Sequence, residues 1–127
     1  MTKLTPILLV EAIEPCLGFW IDRLGFRKTV EVPDGDRLAF VLLQRDGVEV
    51  MYHTRAAVSK DIPALAGGDV PSSTILYIDV PNMAEILKCL EGLQPVVPLR
   101  ETWYGAAEIF VREPAGNVVA FTARAGY

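Results

Sequence analysis

Three side chains of this sequence could move a proton. His53 is the only histidine of the chain, and its imidazole could serve as a general base near neutral pH. Glu49 and Glu108 are carboxylates that could do the same. No grouping of serine, cysteine and carboxylate accompanies His53 at a recognisable catalytic spacing, and an ordinary exposed or hydrogen-bonded histidine explains it better. All three residues are therefore weak candidates for catalysis.

A pair of adjacent aromatic residues suits binding rather than proton transfer. Trp103 and Tyr104 precede Gly105 in a stretch that is expected to be a loop. Loops carry many binding residues, and an indole offers a large flat surface. The pair could form a stacking platform for a ligand, or it could cover the end of a sheet. Both alternatives are open from the sequence.

The composition excludes several classes of protein. The chain has 127 residues, which suits a single domain. It is 51% hydrophobic and 22% charged, which excludes a disordered chain. The net charge is −4 and the basic residues are scattered, so no nucleic-acid partner is expected. No segment approaches the roughly 20 apolar residues of a membrane span, so no membrane partner is expected either.

The first residues do not predict export. The apolar run near the start contains Pro6, ends at Glu11 and lacks a small-residue cleavage site, so a signal peptide is not expected. Cys16 and Cys89 lie in predicted helices among apolar neighbours and are predicted to be buried free thiols. These features predict a cytoplasmic protein.

The first half of the chain predicts one strand, one helix and three further strands. Residues 4–10 form an apolar strand. A helix begins at Glu14 and Pro15, because proline tolerates the first helical turn, and it ends at Gly25. Turns that contain Asp-Gly separate three strands at 27–33, 37–44 and 48–53. The apolar face of the helix is expected to comprise Ile13, Leu17, Trp20, Ile21 and Leu24.

The second half predicts the same order of elements after a linker at about 55–72. A strand at 74–80 precedes a helix that begins at Asn82 and ends at Gly92. Glu85 lies three residues after Asn82, which is the spacing of a capping box. Three strands follow at 96–99, 105–112 and 117–122.

The order strand–helix–strand–strand–strand therefore occurs twice. The turn glycines Gly47 and Gly116 lie about 70 residues apart, as expected of an internal repeat. We predict an α+β fold of two βαβββ modules, at about 3–54 and 73–124, within one domain spanning 1–127. The modules are expected to form a curled, mostly antiparallel eight-stranded sheet around a cleft, with the helices outside.

Three short strings resemble one protein family. Residues 19–26 read FWIDRLGF, residues 112–117 read REPAGN, and residues 103–105 read WYG. In this order and spacing they resemble the glyoxalase/bleomycin-resistance/extradiol-dioxygenase superfamily, also called the vicinal oxygen chelate proteins. The likeness covers nearly the whole chain and is greatest to the metal-free bleomycin-resistance branch. It implies the duplicated fold and a two-fold homodimer.

The resemblance also implies four positions at which metal-using members place their ligands. In this sequence they fall on Thr5, Ile75, Ala120 and either Met51 or, with the register shifted, Glu49. Divalent transition metals prefer histidine nitrogen or carboxylate oxygen, and Glu49 alone could not hold one. We therefore predict no metal and no other cofactor.

Strand alternation predicts which side chains face the cleft. Most are apolar or aromatic, and Glu49, Asp79 and Glu108 outnumber the one base, Arg112. The charges could instead lie in water near strand ends, or pair with one another. The residues expected to bind a ligand are Glu49, Met51, Tyr77, Trp103, Glu108, Phe110, Arg112 and Ala120.

Two functions remain open at this point. The first is a binding protein whose metal-free cleft sequesters a small aromatic and cationic molecule, as the resemblance to the bleomycin-resistance branch implies. The second is an enzyme: a glyoxalase-like lyase or isomerase, a dioxygenase, or a metal-free acid–base catalyst. The sequence does not decide between them.

Overall fold

A computed structural model describes residues 3–65 and 74–124 of the chain. The chain divides into two compact units, with the division after residue 70. Each predicted module lies within one unit. The single domain expected from the length stays a prediction.

The first unit contains a four-stranded sheet and a short helical segment. Its elements are β1 (Ile7–Val10), α1 (Glu14–Leu17), a π-helical turn (Gly18–Arg23), β2 (Arg27–Asp34), β3 (Arg37–Arg45) and β4 (Val48–Thr54). The strand order is β1-β4-β3-β2. Strand β1 runs parallel to β4, and the other neighbours are antiparallel.

The second unit repeats this arrangement. Its elements are β5 (Ile75–Asp79), α3 (Met83–Cys89), β6 (Val97–Glu101), β7 (Ala106–Arg112) and β8 (Val118–Arg124). The order is β5-β8-β7-β6, with β5 parallel to β8. The predicted α+β fold and the βαβββ repeat are therefore confirmed. The eight predicted strands are divided between two four-stranded sheets that are mostly antiparallel.

The beginning of the predicted linker is helical. Helix α2 spans Arg55–Asp61, and a 3-10 turn follows at Pro63–Leu65. The Thr54 hydroxyl accepts a hydrogen bond from the Ala57 backbone N–H at 3.2 Å, which caps the helix. This helix was not predicted, because the prolines and glycines between residues 55 and 72 indicated a linker without regular structure. Residues 66–73 lie outside the described residues.

The first helical segment packs with a different face from the one predicted. Ile13, Trp20 and Leu24 are buried as expected, but Leu17 and Ile21 are only half-buried, and Cys16 and Phe19 are buried instead. The buried Ile13, Cys16, Trp20 and Leu24 follow a regular helical spacing. The apolar face is therefore rotated toward Cys16 and Phe19, where the Phe19 ring packs against Trp20.

An aromatic cluster forms the core of the first unit. Trp20 is fully buried, and its ring lies edge-on to Phe19 at 5.1 Å and to Phe26 at 4.9 Å between centroids. Its indole Nε1–H donates a 2.8 Å hydrogen bond to the Tyr52 hydroxyl, which is also buried. The FWIDRLGF string is thus explained by packing beneath the sheet.

Helix α3 packs against β8 of the second sheet. The Asn82 side chain accepts a hydrogen bond from the Glu85 backbone N–H at 3.1 Å, so the predicted cap is confirmed. Met83, Ile86 and Leu90 are buried. No helix in the described parts of the chain is both long enough and apolar enough to cross a membrane. Neither cysteine forms a disulfide with the other; Cys16 is buried as predicted, whereas Cys89 is only half-buried.

We expect Tyr52→Phe to destabilise the protein by about 1–3 kcal/mol, because it leaves the buried Trp20 N–H without this acceptor. Urea denaturation followed by circular dichroism would measure the change. The dependence of the unfolding free energy on urea should stay the same, since a hydroxyl adds little surface. Equal denaturation midpoints for variant and wild type would show that this hydrogen bond contributes nothing.

Candidate functional site

The central strands of the second sheet align their side chains in rows. Ala120 lies between Phe110 on β7 and Tyr77 on β5, and residues paired in this way share a face of the sheet. Ala120 is fully buried, whereas half of Tyr77 is exposed (51%). A small side chain thus separates two aromatic ones on the face that the sequence analysis assigned to the ligand.

The next row contains a buried carboxylate. Glu108 on β7 lies opposite Thr122 on β8, and only 1% of Glu108 is exposed. The Tyr77 and Tyr104 hydroxyls both donate hydrogen bonds to its Oε2, the latter at 2.5 Å. The Arg100 guanidinium donates to Oε1 at 3.0 Å. The buried carboxylate therefore has a donor on each oxygen, as a charge in this position requires.

These contacts determine the protonation of the site. Burial, the largest single influence, raises the pKa of Glu108, but the hydrogen bonds from Tyr104, Tyr77 and Arg100 together hold that pKa below its ordinary value. The same contact raises the pKa of Tyr104 to about 12, because a phenolate would face the Glu108 carboxylate. At neutral pH, Glu108 is therefore ionised and the Tyr104 phenol keeps its proton.

A tight turn places two aromatic residues at the end of this sheet. The Thr102 backbone N–H donates to the Ala106 carbonyl at 2.8 Å, and Gly105 adopts a φ of 81°, which glycine accommodates without strain. Trp103 lies edge-on to Tyr104, with 5.2 Å between the ring centroids. Because Trp103 is 95% exposed, its indole does not cover the end of the sheet.

The ionic partner of Glu108 was not predicted from the sequence. Arg112 was the base expected on this face, but its guanidinium donates a hydrogen bond to the Gly116 carbonyl at 2.9 Å and closes the turn of the REPAGN string. Arg100 supplies the counter-charge. It lies beyond the predicted end of β6, and a register shift between Val97 and Arg100 changes the alternation that would have placed it.

The candidate carboxylate of the first unit is also engaged. Glu49 accepts hydrogen bonds from Thr5 and Gln44, each at 3.1 Å, and forms an ion pair with Lys3 at 2.8 Å. The Lys3 ammonium group, aided by the Thr5 hydroxyl, holds the pKa of Glu49 below its ordinary value, although burial opposes this. Strands β1 and β4 are parallel, with Ile7 opposite Met51. The same register brings Thr5 to Glu49, and these are two of the positions at which the resemblance implies metal ligands.

His53 lies four residues after Glu49 on the same strand, β4. It is half-buried between Leu9 and Phe40, and its ring is edge-on to Phe40 at 5.5 Å. Its Nδ1 is buried and has no hydrogen-bond partner within residues 3–65 and 74–124. The other two catalytic candidates, Glu49 and Glu108, are held ionised by their hydrogen-bond donors. Neither carboxylate is therefore arranged to take up a proton as a general base would.

The residues at the implied metal positions do not fit a metal. Ile75 lies opposite Val118, and Ala120 opposite Tyr77, so the second sheet supplies no ligand there. Among the residues that the structure describes, no three of His, Cys, Asp or Glu come together as ligands. Thr5 and Glu49 offer one carboxylate, which is already paired with Lys3.

We expect Glu108→Gln to lower the unfolding free energy by about 1–3 kcal/mol at pH 7, because the three donors lose a charged acceptor. The loss is limited because the half-exposed Arg100 guanidinium can hydrogen-bond to water instead. The native pKa of Glu108 lies below its ordinary value of 4.5. The advantage of the wild type is therefore complete above that value and is lost as the pH falls through the native pKa. Urea denaturation between pH 7 and pH 3 would measure both effects.

Glu101→Gln is the matched control for this measurement, since Glu101 is exposed on the neighbouring strand β6. Its unfolding free energy should follow that of the wild type at each pH. A Glu108→Gln variant as stable as the wild type at pH 7 would show that the three contacts do not stabilise the fold.

The architecture and the site can be compared with known proteins. No protein-family model and no curated protein sequence matches the chain. Among solved structures, TioX from Micromonospora sp. ML1 is 16% identical with a TM-score of 0.78, and the alignment covers 98% of this chain and 99% of that one. Lactoylglutathione lyase from Agrobacterium tumefaciens is 15% identical with a TM-score of 0.74, covering 97% and 94% of the two chains.

A third structure is more similar in sequence. The bleomycin-binding protein from bleomycin-producing Streptomyces verticillus, in its complex with copper(II)-bleomycin, is 26% identical with a TM-score of 0.63, and the alignment covers 97% of this chain and 98% of that one. Further matches include members described as glyoxalase/bleomycin resistance protein/dioxygenase proteins from Nocardioides and Burkholderia phytofirmans. The resemblance seen in the three strings is thereby confirmed, and the chain has the fold of the glyoxalase/bleomycin resistance protein/dioxygenase superfamily.

Proposed function

We propose that this chain is a small-molecule binding protein of the bleomycin-resistance type. It holds a planar aromatic cation, without a metal, on the face of its second sheet that carries Tyr77, Phe110 and Ala120. The observation that carries the proposal is the almost complete exposure of Trp103 beside Tyr104. An indole in water contributes little to the stability of the fold. On a closed turn it is available to stack on a ligand.

The surroundings of Trp103 suit such a ligand. Tyr77 and Phe110 flank the buried Ala120, and contact with their rings would remove apolar ligand surface from water, at about 25 cal/mol per Å² before ordering costs. The hydroxyls of Tyr77 and Tyr104 are anchored on Glu108. Side chains that are already held in place lose less entropy when a ligand binds.

The preference for a cation has a different basis from the one inferred from the sequence. Unpaired acids were expected to attract the ligand, but Glu108 is paired with Arg100, and Glu49 with Lys3. Two features still favour a cation. The chain carries a net charge of −4, which attracts cations at long range, and aromatic faces bind cations directly.

An acid–base catalyst gains less support. Glu108 and Glu49 are ionised and engaged with donors, and no described contact joins His53 to a nucleophile or a carboxylate. The lyase from Agrobacterium tumefaciens shares the fold at 15% identity, and a shared fold does not carry an activity with it. The bleomycin-binding neighbour, solved with copper(II)-bleomycin, supports small-molecule binding by a protein of this fold.

We expect planar aromatic cations such as acridine dyes, and also bleomycin with its aromatic, cationic end, to quench the fluorescence of the wild type. Trp103→Phe should lose most of the quenching and weaken binding by about 2- to 10-fold, since phenylalanine retains part of the cation–π attraction. Fully buried Trp20 provides an internal reference that the ligand does not reach. Fluorescence titration would give both quantities, with calorimetry as an independent measure of affinity.

Two controls define this experiment. Ile62→Ala removes an exposed apolar side chain of the first unit and should leave the affinity unchanged. Binding should persist in the presence of EDTA, and elemental analysis should find no stoichiometric metal. Binding that requires about one transition metal per chain would favour the enzymatic alternative.

We further propose that the protein forms a homodimer. Strands β2 and β6 lie at the edges of their sheets, and their exposed apolar side chains include Val30, Val32 and Leu99. Both strands contain a proline, Pro33 and Pro98, which hinders the addition of a further strand. Contact between two copies would therefore use side-chain faces rather than a continued hydrogen-bond ladder.

Light scattering at micromolar concentration should give twice the chain mass of 13.9 kDa. Val32→Glu should shift the mass toward that of one chain, because it places a charge among the exposed apolar residues of β2. A mass of one chain for the wild type would contradict the proposed dimer and leave the binding proposal standing.

A further inference from the structure

The two tyrosines of the site have a fixed hydrogen-bonding direction. A phenol carries one O–H donor and two acceptor lone pairs. Tyr77 and Tyr104 both spend their donor on Oε2 of Glu108. Only acceptor capacity is left on the two hydroxyl oxygens for any other group that approaches.

This direction is locked by the charges beneath it. The Arg100 guanidinium occupies Oε1 of Glu108, so Oε2 remains as the acceptor for the tyrosines. The pKa of Glu108 is held below its ordinary value by its donors, and that of Tyr104 is raised to about 12. Glu108 therefore stays ionised and Tyr104 stays protonated near neutral pH. If either tyrosine hydroxyl turned to donate to a ligand, it would lose its hydrogen bond to the buried carboxylate.

The same oxygens belong to side chains that a ligand can reach. Tyr77 is 51% and Tyr104 is 41% exposed, whereas Glu108 is 1% exposed. The tyrosine hydroxyls contact Oε2 of the buried carboxylate, so a ligand meets the phenols and not the Glu108 oxygens. Trp103 lies next to Tyr104 with its ring edge-on to it, which places a stacking surface beside the acceptors.

We propose that Tyr77 and Tyr104 form an acceptor-only pair that selects ligands bearing N–H donors on a planar ring, that is, aromatic amines or amidines in their protonated form. The inference rests on the proposed binding function and specifies its ligand class. Ligands whose ring carries a carboxylate are disfavoured, because the pair offers them no donor. Cations without an N–H stack on Trp103 but gain nothing from the tyrosines.

Three acridine probes test this selection. 9-Aminoacridine is a planar cation with N–H donors, 10-methylacridinium is a planar cation without one, and acridine-9-carboxylate is an anion. Isothermal titration of the wild type at pH 7 should give at least about 10-fold tighter binding of 9-aminoacridine than of 10-methylacridinium, as expected for a hydrogen bond to a charged donor. The carboxylate should bind most weakly.

The variants separate hydrogen bonding from stacking. The double variant Tyr77→Phe, Tyr104→Phe keeps both aromatic rings but loses both hydroxyl acceptors. Its preference for 9-aminoacridine over 10-methylacridinium should fall to about 2-fold or less, because the hydrogen bonds to the ligand are lost. Trp103→Phe should weaken both cations equally and leave the preference unchanged. Circular dichroism checks folding, and each single Tyr→Phe variant should reduce the preference in part if the double variant unfolds.

Each outcome decides the matter. Equal affinity of the wild type for the two cations, a preference that survives both Tyr→Phe changes, or tightest binding of the carboxylate would overturn the acceptor pair while leaving a binding protein. If none of the three probes binds, the proposed function fails and the acceptor pair fails with it. The full set of expected ratios would support both.

Discussion

The buried carboxylate of Glu108 joins several elements of the second unit. Glu108 occupies a central strand, where a carboxylate is costly unless donors surround it. Its three donors come from three different places: Tyr77 from β5, Arg100 from β6 and Tyr104 from the turn before β7. One carboxylate therefore holds together two edge strands and a loop, and the positions of the aromatic side chains follow from it.

The first unit has the same topology but a different interior. There the buried polar contact is the hydrogen bond between Trp20 and Tyr52. The Glu49 carboxylate is paired with Lys3 and accepts hydrogen bonds from Thr5 and Gln44. The aromatic residues of the first unit are thus used for packing, whereas Trp103 and Tyr104 of the second remain accessible. Duplication of the fold has not duplicated the site.

Much of the fold could be predicted because its signals are local. Asp-Gly turns, the Asn82 cap and the alternation of apolar residues each depend on a few neighbouring residues, and the strands were found near their predicted positions. Two features were not predicted. The buried face of the first helical segment includes Cys16 and Phe19 in place of Leu17 and Ile21, because it depends on how the segment packs, and the irregularity in β6 hid the contact between Arg100 and Glu108. Glu108 and Tyr77 were identified as facing the ligand, but their hydrogen bond joins residues distant in sequence, which no local pattern reports.

The separations along the chain between Glu108 and its donors have a consequence for folding. Tyr104 is 4 residues away and Arg100 is 8, whereas Tyr77 is 31 residues away and lies on the strand that adds to the sheet in parallel. Closing a short loop costs less entropy and is faster than closing a long one. The hairpin of β6 and β7 can therefore bring Arg100 and Tyr104 to Glu108 early, while Oε2 still lacks its second donor. Pairing of β5 with β8 then supplies Tyr77, so the strand whose pairing closes the longest loop of this sheet is also the one that completes the site.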